Sequence, residues 1–510
     1  MLKILLKHEI LNLLKSRRVY LTIVMFLLLF ATVFIVRVID YQKQINQYIA
    51  DVRLTEEQLQ EAQNFSFLNP RAIKQPLIFS IYNEGFKNDR VINIIYYEPI
   101  THTTSLHTEK SLLSIESSQI DITFLITFFL SLFIFLIAYD SVNGEKRAGT
   151  LRIFMTYPIK RQSFILKKIL GVFLLVAFTF TIPYIISLIS LIIIYANLLT
   201  ANFFLSASLY WFVAMLFIFI FSLFGVFIST LSTNPNRSLV YSLLVWFLFS
   251  IILPISWDYI AAPSLYDDKM HTLELNFQDK QRQGHRMMHI DIPPESNPRR
   301  WWWGSNSGYF YSATATAFHT DMYIGRLAFQ RYMYETVFPV NREVEQIMDE
   351  IWRLRITAEQ VRDRVFFFNP IVIFNTLSTH ITGNSYQDHL RFLSDSRMVR
   401  DDLVNQGIRD GWLLDRRMYA VYADVVDNSF FNDLQSGKIS FDEAIERFRI
   451  HREKVGKFVM ELPVIRRYEQ PRHSLGEIFG RILSCLVYYV ICILVLWVMT
   501  WYRFMRYDVR

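Results

Sequence analysis

Six stretches of the 510-residue chain stay apolar, with almost no charged position, for about 20 residues or more: Val19–Ile39, Ile120–Tyr139, Ile169–Tyr195, Ser206–Leu231, Ser238–Trp257 and Ile478–Tyr502. A hydrocarbon layer about 30 Å thick needs roughly that length of α-helix, at 1.5 Å per residue. Lipid offers the backbone no hydrogen-bond partner, so the six stretches are expected to be helices. The first is not a cleavable signal: its apolar core is too long, and VRVIDYQKQ follows where small residues would be needed.

The polar intervals have their own periods. Residues 1–18 (MLKILLKHEILNLLKSRR) place Leu2, Leu5, Leu6, Ile10, Leu13 and Leu14 on one helical face, with Lys3, Lys7 and Lys15 elsewhere. That is the pattern of an amphipathic helix lying in the membrane interface. After the first span, residues 40–119 begin helical and then turn Pro- and aromatic-rich, and RVINIIYY has strand character. Residues 258–475 form the largest polar part, about 218 residues. Helical periodicity over Phe318–Val365, Tyr386–Tyr422 and Phe441–Phe458 makes it a mainly helical domain. Within it, Phe366–Gly383 (FFFNPIVIFNTLSTHITG) is apolar but too short to span. It is expected to be buried in that domain or to rest on the membrane face.

Charge gives the topology. The loop within residues 140–168 holds Lys146, Arg147, Arg152, Lys160, Arg161, Lys167 and Lys168, whereas Ala196–Leu205 holds no Lys or Arg. Short loops rich in Lys and Arg stay in the cytoplasm. Alternation then places both termini and Ser232–Ser238 inside, and residues 40–119 and 258–475 outside. The chain therefore divides into the interfacial helix (1–18), span one (19–39), an outer segment (40–119), span two (120–139), the basic segment (140–168), spans three to five (169–257), the outer domain (258–475), and span six with its tail (476–510). The expected fold class is an α-helical polytopic membrane protein: six transmembrane helices plus a mainly helical extracytoplasmic domain. The formal charge of +7 does not point to nucleic acid, because Asp258–Pro471 carries 27 Lys and Arg against 30 Asp and Glu. The positive excess lies beside the spans, where lipid headgroups attract it.

Candidate chemistry is sparse. GEKRAGT (Gly144–Thr150) approaches a phosphate-binding loop, but Thr150 stands where its Lys belongs, and a membrane helix precedes it instead of a strand. The chain is therefore expected to bind no ATP and no other cofactor. His285 and His289 in HRMMH have the i, i+4 spacing of two metal ligands, with Asp291 nearby, but no obvious set is completed. Trp301–Trp303 is an aromatic triplet, a pattern more often found in a core or an interfacial anchor than in a ligand platform. Cys485 and Cys492 lie seven residues apart on one predicted helix and match no metal spacing. The span interiors lack the ionisable groups that ion-driven carriers place mid-membrane.

EKRAGTLRIFMTYPIKRQSFILKKILG resembles the segment that follows the second span in permeases of the type-two ABC transporter family. The likeness rests on Glu145, Lys146, Arg147, Gly149, Thr150, Leu151, Pro158, Arg161, Lys168 and Gly171, together with the interfacial helix, the six spans and the inside termini. The resemblance implies a coupling helix that docks on a separate ATPase subunit, which would bind ATP and Mg. The coupling residues are then Glu145, Gly149, Thr150, Leu151, Phe154, Tyr157, Pro158 and Arg161. Ile153, Phe154 and Tyr157 would provide an apolar face for docking; Leu151, Phe154 and Tyr157, at i, i+3 and i+6, share roughly one face, which would meet the ATPase, and Thr150 would cap the helix after a tight entry at Gly149.

The long insertion before span six is similar to a subgroup that includes permeases linked to copper-enzyme maturation and gliding-type systems. The implied protein is a non-catalytic permease of the bacterial inner membrane. Its partners are ABC ATPase subunits, a second permease copy (homodimer or related subunit), membrane lipid and an envelope protein at the outer domain. Two other readings stay open: an ABC permease that does mechanical work on an envelope partner without transport, and an anchored envelope enzyme or receptor.

Overall fold

The computed structural model describes residues 2–61, 70–85, 91–94, 120–156, 161–199, 201–232, 234–254, 256, 262–291, 331–365, 368–409, 436–440, 443 and 475–506. Six helices among them are long and apolar enough to cross a membrane: Arg17–Gln58, Ile122–Arg147, Arg161–Leu198, Ala201–Leu231, Pro235–Ile252 and Cys485–Met505. These are spans one to six. The apolar runs underlie them, but the helices run further. Span one belongs to one 45-residue helix that continues to Glu61. The helix of span three begins at Arg161, so Arg161–Lys168, expected in the basic loop, are its first turns.

Span four is the centre of the bundle, with spans two and six packed along it. In span four 72% of the most apolar window is buried, against 17% in spans five and six. A close approach makes this possible. A Cβ on Gly225 of span four would lie 2.5 Å from the Ala138 Cβ of span two, so only glycine lets the two backbones meet there. Spans two and five each contain a widened π-helical stretch, Leu125–Leu130 and Leu248–Ile252. Such turns leave carbonyls for other donors. The Trp246 indole N–H of span five donates to the Phe128 carbonyl at 3.1 Å, and the Asn369 amide donates to the Phe249 carbonyl at 3.0 Å.

The basic segment marks one end of the bundle, called here the basic end. At the opposite, far end, polar sequence folds back between the spans. The turn around Ile78–Ile81 buries Phe79, Ile81 and Tyr82 in the span core. The Tyr82 hydroxyl lies 2.7 Å from Ser187 Oγ. Arg37 of span one pairs with Glu84 at 2.8 Å and donates to the Ser80 carbonyl at 3.1 Å. The strand expected in RVINIIYY is present at Val91–Asn93 (β2), and it pairs antiparallel with Arg71–Ile73 (β1).

Helix α1 (Leu2–Lys15) lies at the basic end, followed there by α2 (Asn143–Arg147) and α3 (Thr150–Thr156). Beyond span five stand α4 (Ala262–His289) and α5 (Phe338–Val365), an antiparallel pair about 40 Å long at 1.5 Å per residue. Leu273, Phe277, Val344, Met348, Ile351 and Trp352 form its seam.

Helix α6 (Pro370–Thr382) corrects the expectation for Phe366–Gly383: it is buried against spans four and six instead of lying within the outer domain or on the membrane face. Asn369 caps it by accepting from the Ile371 N–H at 3.0 Å, and Gly383, at φ +70°, ends it. The Tyr489 hydroxyl of span six donates to the Pro370 carbonyl at 2.7 Å, and Phe374 lies 4.9 Å from Phe217 of span four. Helix α7 (Tyr386–Arg409) then packs on α5, with Arg397 2.7 Å from Asp349 and Arg400 paired with Glu345. Trp301–Trp303 and most of Phe441–Phe458 lie outside the described residues.

Candidate functional site

Residues 139–156 leave span two through a set of local ties. The Val142 and Asn143 N–H groups donate to Ser229 Oγ of span four at 3.1 and 3.4 Å. The Asn143 amide reaches Ser232 Oγ at 2.7 Å. Arg18 of span one pairs with Asp140 and donates to the Tyr139 hydroxyl. The end of span two is thus fixed to spans one and four.

The chain then turns from α2 into α3. Gly149 stands at φ +73° with open space where a side chain would be, so the turn demands glycine for its backbone angle and not for room. The Thr150 hydroxyl donates to the Glu145 carbonyl at 3.2 Å, which ties α3 back to α2; this differs from the capping role expected for it. Leu151 is 0% exposed, buried in the chain's own core. Phe154 is half-buried against the Phe164 ring at 6.0 Å, with the Lys167 ammonium 4.0 Å above its centroid. Arg152, Ile153 and Thr156 face away, with Ile153 60% exposed. Leu151 and Phe154 therefore turn inward, and the exposed side of α3 carries Arg152, Ile153 and Thr156. Tyr157 and Pro158 lie outside the described residues. Arg161 donates to the Met505 carbonyl at 2.9 Å, joining the start of span three to the end of span six.

Beneath α3 sits a cluster of four charges. Lys168 of span three bonds Glu9 of α1 at 2.9 Å and also bonds Glu145 of α2. Lys167 lies 3.8 Å from the other Glu9 oxygen. Glu9 and Lys168 are each 3% exposed and Lys167 is 1% exposed, so two ammonium and two carboxylate groups neutralise one another away from water. Gly171, one turn along span three, leaves the space: a Cβ there would lie 2.7 Å from Glu9 Cγ.

Sequence reasoning chose Glu145 and missed Glu9. A signal was present, since Glu9 is the one acidic residue among the first 39, and Glu145 is the last before Asp258. An isolated carboxylate among apolar and basic positions is expected to have a cationic partner. The arrangement holds a short helix at the basic end of the bundle and offers one side of it outward.

Two curated proteins align with parts of the chain. A probable ABC transporter permease protein NosY from Pseudomonas aeruginosa is 40% identical over 58 residues, 11% of this chain and 21% of that protein. A probable ABC transporter permease protein NosY from Stutzerimonas stutzeri is 26% identical over 139 residues, 27% of this chain and 50% of that protein. The chain thus spans half the length of these relatives or less. The family model described as ABC-2 family transporter protein matches residues 3–509, nearly the whole sequence, and the chain belongs to that family.

Proposed function

We propose that this protein is the membrane permease subunit of an ABC transporter, working with separate ATPase subunits in the bacterial inner membrane. The observation that carries the reading is α3. A short helix hangs below the bundle, braced from behind by Leu151, Phe154 and the buried charge cluster, and it presents Arg152, Ile153 and Thr156 outward. A braced helix that exposes the apolar Ile153 beside the basic Arg152 suits a docking element on a soluble partner. The permease names of the aligned relatives support the same reading. The basic end is then cytoplasmic, by the distribution of Lys and Arg, and the far end is outside. ATP and Mg belong to the partner, and a second permease copy completes the assembly through the little-buried spans.

A mechanical role without transport is favoured by one further observation. The far-end turn and α6 are built into the span bundle, through Tyr82–Ser187 and Tyr489–Pro370, so α4, α5 and α7 are continuous with elements that the spans hold directly. Movement of the spans would be passed to those helices.

The test is purification of the tagged full chain from its native membranes, with mass spectrometry of what accompanies it. An ABC ATPase with vanadate-sensitive hydrolysis is expected in the eluate, and saturable ATP binding is expected only when that subunit is present. ATP binding by the chain alone, or hydrolysis of an envelope substrate by it, would overturn the reading.

A further inference from the structure

The charge cluster extends this reading and rests on it. We infer that Glu9, in the N-terminal helix, is the positioning residue of the coupling segment, acting on α3 through the shared Lys167 and Lys168 pair. On this inference α1 is a working part of the transmission and not simply a foot on the membrane.

The path can be followed atom by atom. Glu9 takes Lys168 on one carboxylate oxygen at 2.9 Å and lies 3.8 Å from Lys167 on the other. Each lysine then grips the coupling segment at a different place. Lys168 bonds Glu145, whose carbonyl receives the Thr150 hydroxyl at 3.2 Å at the start of α3. Lys167 sits over the Phe154 ring at 4.0 Å, in the middle of α3. One carboxylate on α1 thus sets two ammonium groups that together hold both the entry and the body of α3.

Glu145 cannot replace Glu9. It is less buried, its ion pair is with Lys168 while it acts on Lys167 only through its charge, and its second oxygen is buried with no hydrogen-bond partner. Without the Glu9 charge, two ammonium groups would share one carboxylate in a site nearly closed to water, and the excess charge would draw water in or push a lysine out. Either response releases α3 at Phe154, at Thr150, or at both. Gly171 gives an independent line: the fold keeps glycine where a methyl group would press on Glu9 Cγ.

The experiment uses the full chain in lipid nanodiscs, first without any ATPase. Amide exchange is followed over residues 143–156 for wild type, Glu9→Gln, Glu9→Asp, Lys168→Arg and, as an exposed control on α1, Lys7→Gln. Glu9→Gln is expected to speed exchange there by tenfold or more. Glu9→Asp and Lys168→Arg, which keep the charges, are expected to recover most of the protection, and Lys7→Gln is expected to change nothing. Should Glu9→Gln fail to insert, Gly171→Ala displaces Glu9 without altering a charge and is expected to give the same loosening.

In the second arm, ATPase retained and ATPase stimulated are measured separately. Glu9→Gln is expected to keep at least half of the bound partner and to lose stimulation at least fivefold. Unchanged exchange in both Glu9→Gln and Gly171→Ala would overturn the inference. Loss of partner binding and of stimulation in equal measure would make Glu9 a merely structural residue. Absence of any ATPase from the wild-type preparation would contradict the proposed function but leave the exchange result standing.

Discussion

At the basic end, four charged side chains from α1, α2 and span three share one buried cluster. At the far end, neutral groups make most of the ties: Tyr82 with Ser187, Thr123 with Tyr210 at 2.9 Å, Asn384 with the Asn83 carbonyl at 3.2 Å, and Asn369 with the Phe249 carbonyl. Arg37 with Glu84 is a charged exception there. The difference bears on motion. A neutral hydrogen bond is directional and weakens steeply once its angle or length is spoiled. Attraction between charges falls only as the inverse of distance, so an ammonium shared by two carboxylates stays bound when the elements shift by about an ångström. The charge cluster can therefore yield and remain assembled, whereas the neutral bonds of the far end, like those of Val142 and Asn143 to Ser229 beside the cluster, hold one geometry.

The contrast can be broken or sharpened by substitution, with stability read as the denaturant midpoint of the purified chain in detergent. The largest effect is expected for Lys168→Ala, which leaves Glu9 and Glu145 facing only Lys167. Removing one partner from a buried ionic cluster costs about 3–5 kcal/mol. A loss below about 1 kcal/mol would show that the cluster is hydrated and not a joint. Asn369→Ala at the far end is next. It deprives the Phe249 carbonyl and the Ile371 N–H of their partners at once, with an expected loss of about 1–3 kcal/mol. Tyr82→Phe should cost less, about 0.5–1.5 kcal/mol, because the Ser187 hydroxyl keeps its bond to the Tyr184 carbonyl at 2.7 Å. The smallest effect is expected for Lys269→Ala on α4. Its pair with Glu350 is exposed on both sides, and such pairs are worth about 0–1 kcal/mol. An effect there as large as at Asn369 would mean that the outer helices are held by their surface charges.

The spans were legible in the sequence because lipid imposes one rule, an apolar helix of sufficient length, and the runs satisfy it without competition. Helix α6 was not, because thirteen residues starting at Pro370 are too short for that rule, and only tertiary packing shows that they enter the bundle. The basic segment was legible in part. Its basic charge, Gly149 and a short helix could all be read. The sense of its apolar face could not, since Leu151 and Phe154 at i and i+3 look the same whether they meet a partner or their own core. The structure gives them to the core, so a carboxylate at position 154 would meet Lys167 and not a partner. Glu9 was hidden by the leucines around it, which satisfy an amphipathic pattern without it.

Ile153 is the residue on which the account turns. Ile153→Asp leaves the buried cluster, the Phe154 contact and the spans untouched, and it places a charge on the exposed side of α3. The measurement is the amount of ABC ATPase that accompanies the chain from membranes, with the hydrolysis rate per permease, for wild type and Ile153→Asp at equal insertion. Burying that charge at an apolar contact is expected to cost a few kcal/mol and to weaken recruitment about 100-fold, since each 1.4 kcal/mol is about tenfold. Recruitment and hydrolysis unchanged in a correctly inserted Ile153→Asp chain would contradict the account and leave the basic segment as a signal for topology alone.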